Sequence, residues 1–166
     1  MINPSLTFRL ATIDDAPLIQ NLAEKIWRVH YPDIISHEQI DYMLELMYSK
    51  NSIELQLASI QQYTLIFCGD ELVGYYSISE LEAGEFYLHK FYLQVAQHRK
   101  GIGSRSFQQL LSTIGSNYGS IRLQVNRRNY KAVNFYFKLG FQIEKTAEFD
   151  IGQGYTMDDF VMVKRS

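Results

Sequence analysis

Six consecutive residues, His98-Arg99-Lys100-Gly101-Ile102-Gly103, combine nitrogen-bearing side chains with two glycines, between a run that reads as a strand and one that reads as a helix. The first N–H groups of a helix have no internal partners, and the helix dipole adds partial positive charge there. Such a loop can therefore receive an anion, phosphate above all. Gly101 and Gly103 let the backbone approach without a Cβ in the way, and Arg99 and Lys100 add charge. A plain tight turn satisfies the same Gly-x-Gly pattern, so the surrounding residues must decide. Asn129 and Tyr136 are seven apart and share one helix face. On the strand before the loop, Glu85, Tyr87, His89 and Phe91 share one face by alternation. Histidine, with a reference pKa of about 6.5, can exchange a proton near neutrality.

These residues need elements to hold them. Residues 6–10 alternate apolar and polar and predict a strand. Thr12 and Asp15 have capping-box spacing before a helix whose apolar stripe is Leu18, Leu22 and Ile26 with Ile19 and Ala23. Tyr31-Pro32 ends it. Ser36 and Gln39 repeat the capping spacing before a second helix with Ile40, Met43, Leu44 and Met47 inward, and a weaker third covers 51–59. A hairpin follows, 63–67 and 72–79 around Gly69-Asp70, then a long strand, 85–95, with a bulge expected near Leu93-Gln94-Val95. The central helix starts near Gly103 and turns Phe107, Leu110, Leu111 and Ile114 inward. A strand at 120–125 comes next, then a short helix capped by Asn129 and stopped by Gly140, with Ala132, Phe135, Tyr136 and Leu139 inward. Two strands, 141–146 and 155–164, close the chain around Gly152-Gln153-Gly154. This order predicts a mixed α/β fold with helices on both faces of a central sheet.

Composition narrows the class. A chain of 166 residues is long enough for a proper core without disulfides, and residues 1–166 are expected to form a single domain. Hydrophobic residues at 46% against 20% charged point to a soluble globular protein. No run approaches a membrane span, and the opening MINPSLTFRL lacks a signal-peptide pattern. Cys68 has no second cysteine to pair with, which suits a reducing, cytoplasmic setting. A net charge of −2 gives no reason to expect nucleic acid as a partner.

The stretch 93–103, followed by Asn129-Tyr130-Lys131-Ala132-Val133-Asn134-Phe135-Tyr136-Phe137-Lys138-Leu139-Gly140-Phe141, resembles the GNAT superfamily of acyl-CoA-dependent N-acyltransferases. The first part is similar to that family's pyrophosphate loop, Arg/Gln-x-x-Gly-x-Gly/Ala, with His98 standing where the family usually has Arg or Gln. The second is similar to its Asn-x-x-Ala-x-x-Phe-Tyr-x-Lys-x-Gly-Phe segment. The resemblance implies a mixed sheet of six to seven strands, splayed between strands 4 and 5 to admit acetyl-CoA as co-substrate, with no metal. It implies that the main chains of Leu93 and Val95 pair with the pantetheine arm, with Gln94 a further cofactor contact. The loop His98, Arg99, Lys100, Gly101, Ile102, Gly103 and Ser104 would hold the pyrophosphate. Asn129 would hold the arm, and Tyr136 would contact the CoA sulfur as general acid.

For the general base, many members of the family carry a carboxylate at the positions of Tyr87 or His89. Here neither is acidic, which leaves His89 directly or Glu85 through a water, or positioning of a neutral amine with no base at all. The acceptor would lie between the turn after the first helix, with Trp27, His30 and Tyr31, and the last two strands, with Tyr87 and Asp159 reaching the site and Asp150 and Asp158 nearby. Adjacent aspartates on a strand point to opposite faces, so at most one of Asp158 and Asp159 faces inward. The expected activity is transfer of an acetyl group to a primary amine of a small molecule or peptide, with a homodimer as a further expectation. The alternative is a non-catalytic acyl-CoA-binding regulatory module. A dinucleotide-binding oxidoreductase fits poorly, because Ser106 stands where a third glycine belongs.

Overall fold

The computed structural model describes residues 5–166. Three helices come early: α1 (Ala16–His30), α2 (His37–Tyr48) and α3 (Lys50–Leu57). Their starts follow the capping chemistry of the sequence. The Asp15 carboxylate accepts the Thr12 N–H at 2.8 Å and a fork of two Arg9 N–H groups at 2.9 Å each. The Ser36 hydroxyl accepts from the Gln39 N–H at 3.1 Å, and Ser49 caps α3 through the Ser52 N–H. The buried face of α1 is Ile19, Leu22, Ala23, Ile26 and Trp27. Leu18, expected on that stripe, is 48% exposed, because Trp27 completes the i, i+3/i+4 series one position round the helix.

The sheet has seven strands: β1 (Leu6–Leu10), β2 (Gln62–Cys68), β3 (Glu71–Glu82), β4 (Glu85–Leu93), β5 (Ser120–Asn126), β6 (Gln142–Gly152) and β7 (Tyr155–Arg165). Their spatial order is β1-β2-β3-β4-β5-β7-β6. All neighbours are antiparallel except β4 and β5. On one face α4 (Ile102–Ile114) and α5 (Tyr130–Lys138) bury Ile102, Phe107, Leu110, Val133 and Tyr136 against Leu88, Leu123 and Met162. On the other, α1–α3 bury Trp27, Ile40, Tyr48 and Ile53 against Tyr63, Leu65 and Tyr75. The helices thus lie on both faces, as the element order predicts.

The parallel seam between β4 and β5 is short. Only Glu85↔Ser120, Phe86↔Ile121 and Tyr87↔Arg122 are in register. A polar clamp marks this closed end: the Ser120 hydroxyl donates to the Glu85 carboxylate, Arg122 donates to Glu85 at 3.0 Å, and the same guanidinium holds Glu144 of β6 with two bonds of 3.0 Å. Beyond it the strands part. From Leu88 to Leu93, and from Leu123 to Asn126, the edges that face the gap have no strand partner.

One local irregularity redirects side chains. Ser77 of β3 pairs with Lys90 but its neighbour Ile78 pairs with Leu88, so His89 is an extra, bulged residue. Alternation breaks there. Tyr87, His89, Lys90 and Tyr92 face α1–α3, whereas Phe86, Leu88, Phe91 and Leu93 join the α4–α5 core. Phe91 therefore does not share a face with Tyr87 and His89, and the bulge sits at His89 instead of Leu93-Gln94-Val95. Across from Leu93, Gly74 lets β4 come close: a Cβ there would lie 2.4 Å from the Tyr92 carbonyl oxygen and 3.3 Å from the Leu93 Cα.

Candidate active site

The gap between the parted strands opens into a cleft of about 470 Å³. After Leu93 the chain makes a 3₁₀ turn at Val95–Gln97 and then enters the glycine loop. Arg99 and Gly101 are left-handed, with φ of +63° and +72°. Alternating handedness turns successive N–H groups toward one side, and α4 begins at Ile102 with no side-chain cap on its first N–H groups. A non-glycine residue in this conformation is uncommon; among the described residues only Arg99 and Gln153 adopt it.

Three limbs meet at the mouth. The His98 ring donates from Nε2 to the Leu93 carbonyl at 3.1 Å. Asn129 caps α5, its Oδ1 accepting the Ala132 N–H at 3.3 Å, and His30 at the end of α1 donates to the same oxygen at 3.1 Å. The His30 and His98 rings lie 6.4 Å apart, so α1, α5 and the loop after β4 are drawn together. Burial holds the His30 imidazole below its ordinary pKa, against the Asn129 bond, which raises it.

The structure brings Leu93, His98, Arg99, Gly101, Gly103, Ser104, Asn129, Tyr136, Tyr31 and His89 to one cleft. Four of the proposed cofactor contacts lie in the same turn but do not line it. Gln94 turns its amide to the Leu72 carbonyl, Lys100 reaches Gln97, the Ile102 side chain is in the core, and Val95 begins the 3₁₀ turn. Glu85 is elsewhere. Its carboxylate belongs to the clamp at the closed end, where the Ser120 hydroxyl and then Arg122 hold it below the usual range. Trp27 is also outside the cleft, buried against Tyr31, Tyr48 and Tyr92 with a Trp27–Tyr31 ring separation of 4.3 Å. It supports Tyr31 from behind. Tyr87 and Asp159 stand outside the main cleft, on the α1–α3 face, and Asp159 is buried.

Electrostatics separate these groups. Burial, and then the charge of Tyr31, pushes the Tyr136 phenol far up, so it keeps its proton at neutral pH. Burial, and then Lys90, pushes His89 down to about 4, while its Nε2 lies 2.7 Å from the Ser79 hydroxyl. Burial also brings Lys90 down to about 8; its ammonium lies over the rings of Tyr48 and Tyr63, 5.1 and 5.9 Å from their centroids. Asp159 moves the other way, up to about 6, chiefly through burial and then through Asp158.

Lys90, Tyr92 and the His30–Asn129 bond join the cleft without a signal in the local sequence pattern. The signal for Lys90 and Tyr92 was erased by the bulge, which a period-two reading of the strand does not show. His30–Asn129 joins residues 99 apart in the chain and carries no local signature.

A mixed sheet split between two parallel strands, with a glycine loop and an uncapped helix start at the split, defines a class of acyl-CoA-dependent transferases. A model described as an acetyltransferase (GNAT) domain matches residues 33–153, and the chain belongs to the GNAT acetyltransferase family. An uncharacterised N-acetyltransferase of Mycobacterium tuberculosis is 27% identical over 153 residues, covering 90% of this chain and 97% of its own. Spermidine N(1)-acetyltransferase of Thermoplasma acidophilum is 26% identical over 168 residues, covering 97% and 98%. Among solved structures, the PaiA N-acetyltransferase of Thermoplasma acidophilum in complex with coenzyme A superposes with a TM-score of 0.82 at 23% identity, covering 98% of this chain and 99% of its own. The last likeness is one of fold. Among the described residues, no helix is long and apolar enough to cross a membrane.

Proposed function

We propose that this chain transfers the acetyl group of acetyl-CoA to a primary amine by direct attack within a ternary complex. The observation that carries this reading is that the gap-facing edges of residues 88–93 and 123–126 have no strand partner among the described residues and open to the uncapped start of α4. Backbone groups left without partners are costly, and an amide-bearing chain can pair with them as a strand would. The residues present suit such a ligand: Arg99, Lys131 and Lys138 line the cleft with positive charge, and the loop N–H groups converge on one side.

On this reading the pantetheine arm lies along Leu93 and beside Asn129, and the phosphates lie on the loop from His98 to Ser104. Tyr136, protonated and buried, gives its proton to the departing sulfur. The nitrogen lone pair attacks the thioester carbon, a C–N bond forms and the C–S bond breaks. The proton lost from the new amide nitrogen restores the phenol. A polyamine or similar alkylamine is the favoured acceptor, because the spermidine acetyltransferase of Thermoplasma acidophilum covers nearly all of this chain. The setting proposed is cytoplasmic.

The test is thiol release from acetyl-CoA across a panel of spermidine, simple alkylamines, amino sugars and peptides, alongside calorimetric binding of coenzyme A. Amine-dependent release supports the reading. Failure to bind coenzyme A at millimolar concentration ends it. Tight binding with no turnover on any amine would favour a CoA-binding regulatory module instead, a reading motivated by the absence of a carboxylate at Tyr87 and His89.

A further inference from the structure

Asp159 is 3% exposed, yet its carboxylate has no hydrogen-bond or ion-pair partner among the described residues. A buried carboxylate without a partner is costly and calls for an explanation. Its neighbour Asp158 is different, half-exposed and paired with Arg127 at 2.7 Å.

The location supplies the explanation. A second cleft, of about 480 Å³, lies beside the first and is lined by Pro32, Asp33, Asn126 and Asp158 among others. The residues bordering the two clefts are chain neighbours: Tyr31 lines the first and Pro32 the second, Val125 the first and Asn126 the second. Asp159 follows Asp158 and pairs in register with Asn126, but its side chain points to the opposite strand face from that of Asp158 and lines neither cleft. Tyr31 feels its charge from α1 and Tyr87 from β4; Tyr136 in turn feels Tyr31. Facing it from β6 is Ala147, which is uncharged, and from its own strand Asp158. No cation approaches it from any of these elements.

We propose that Asp159 receives the ammonium group of the acceptor and takes its proton, with the acceptor lying against Tyr31 and Tyr87. The inference rests on the acyl-transfer reading and names the base that β4 lacks. His89 is the weaker contender. It is the poorer base, about 4 against about 6, it is already bonded to Ser79, and Lys90 beside it repels a cation. The proton count closes. The ammonium gives one proton to Asp159 and its lone pair to the thioester carbon; a second proton leaves the new amide nitrogen to replace the one that Tyr136 gives to sulfur. Asp159 then releases its proton to solvent.

The experiment compares wild type with Asp159→Asn, Asp158→Asn and His89→Gln. Spermidine and butylamine are titrated into each protein by calorimetry, both free and saturated with coenzyme A. Asp159→Asn should weaken amine binding by about tenfold or more, leave coenzyme A binding unchanged and melt no lower than wild type. In turnover, kcat/KM of the wild type should rise with pH through a limb near 6 that Asp159→Asn lacks, with a fall of about a hundredfold or more. Asp158→Asn and His89→Gln should keep the limb. Unchanged amine affinity in Asp159→Asn, a retained limb, or no amine binding to the wild type would overturn the assignment. Loss of coenzyme A binding would instead remove the acyl-transfer reading, while the amine titration on the free protein would still decide Asp159.

Discussion

The hydroxyl of Tyr31, at the end of α1, lies 3.1 Å from the hydroxyl of Tyr92, near the end of β4. This bond ties the end of α1 to the edge of the cleft. Both phenols are pushed up by burial and stay protonated, Tyr31 to about 12, so one can donate while the other accepts. Removing either hydroxyl leaves the other with less company. Tyr31→Phe and Tyr92→Phe are each expected to lose about 1 kcal/mol of stability, and the double variant less than the sum. Urea denaturation of the four proteins measures the coupling.

Tyr136→Phe keeps the ring that packs on Phe135 and Phe141 and removes only the hydroxyl. Thiol release with a competent amine should fall by about a hundredfold or more, while acetyl-CoA affinity stays nearly unchanged. Stopped assays of free thiol, with calorimetry as control, check both halves. Equal activity would remove Tyr136 from the chemistry.

Gly74→Ala should be damaging although the residue does not itself line the cleft. Its Cβ would meet the Tyr92 carbonyl at 2.4 Å, and backbone cannot move aside as a side chain can. A loss of about 2 kcal/mol or more is expected, together with weaker coenzyme A binding as Leu93 shifts. Melting temperature and calorimetry report the two effects separately.

Stability should depend on pH through two opposed groups. Asp159 is raised from 3.8 to about 6, so its contribution is full below about pH 4 and is lost as pH rises to about 6. For a rise from 3.8 to about 6 that loss is about 3 kcal/mol. His89 is lowered from 6.5 to about 4, so its contribution is present above about 6.5 and is lost as pH falls toward 4. Asp159→Asn should therefore raise the melting temperature above pH 6 and leave it unchanged below 4. His89→Gln should blunt the acid-side decline. Melting curves from pH 4 to 8 test both signs.

Much of this was legible in the residues. Asn129 caps α5 as its type and place predict, Ser36 caps α2, and the glycine loop enters α4. These are local devices, and local chemistry is written in consecutive residues. What escaped depends on the third dimension. The bulge at His89 is a mismatch between two strands, and neither strand shows it alone. Trp27 reads as a wall of the acceptor site from its place near the turn, but the packing of Tyr31, Tyr48 and Tyr92 closes over it. Glu85 shares a period with Tyr87, yet Ser120 and Arg122, on a strand 35 residues on, claim its carboxylate.

The seam of Glu85, Phe86 and Tyr87 fastens the parted strands at one end only. The six residues beyond it reach about 20 Å and stay paired with β3 as far as Leu93. The width of the gap is therefore set from behind, by β3, and at its closed end by the Glu85–Arg122–Glu144 clamp.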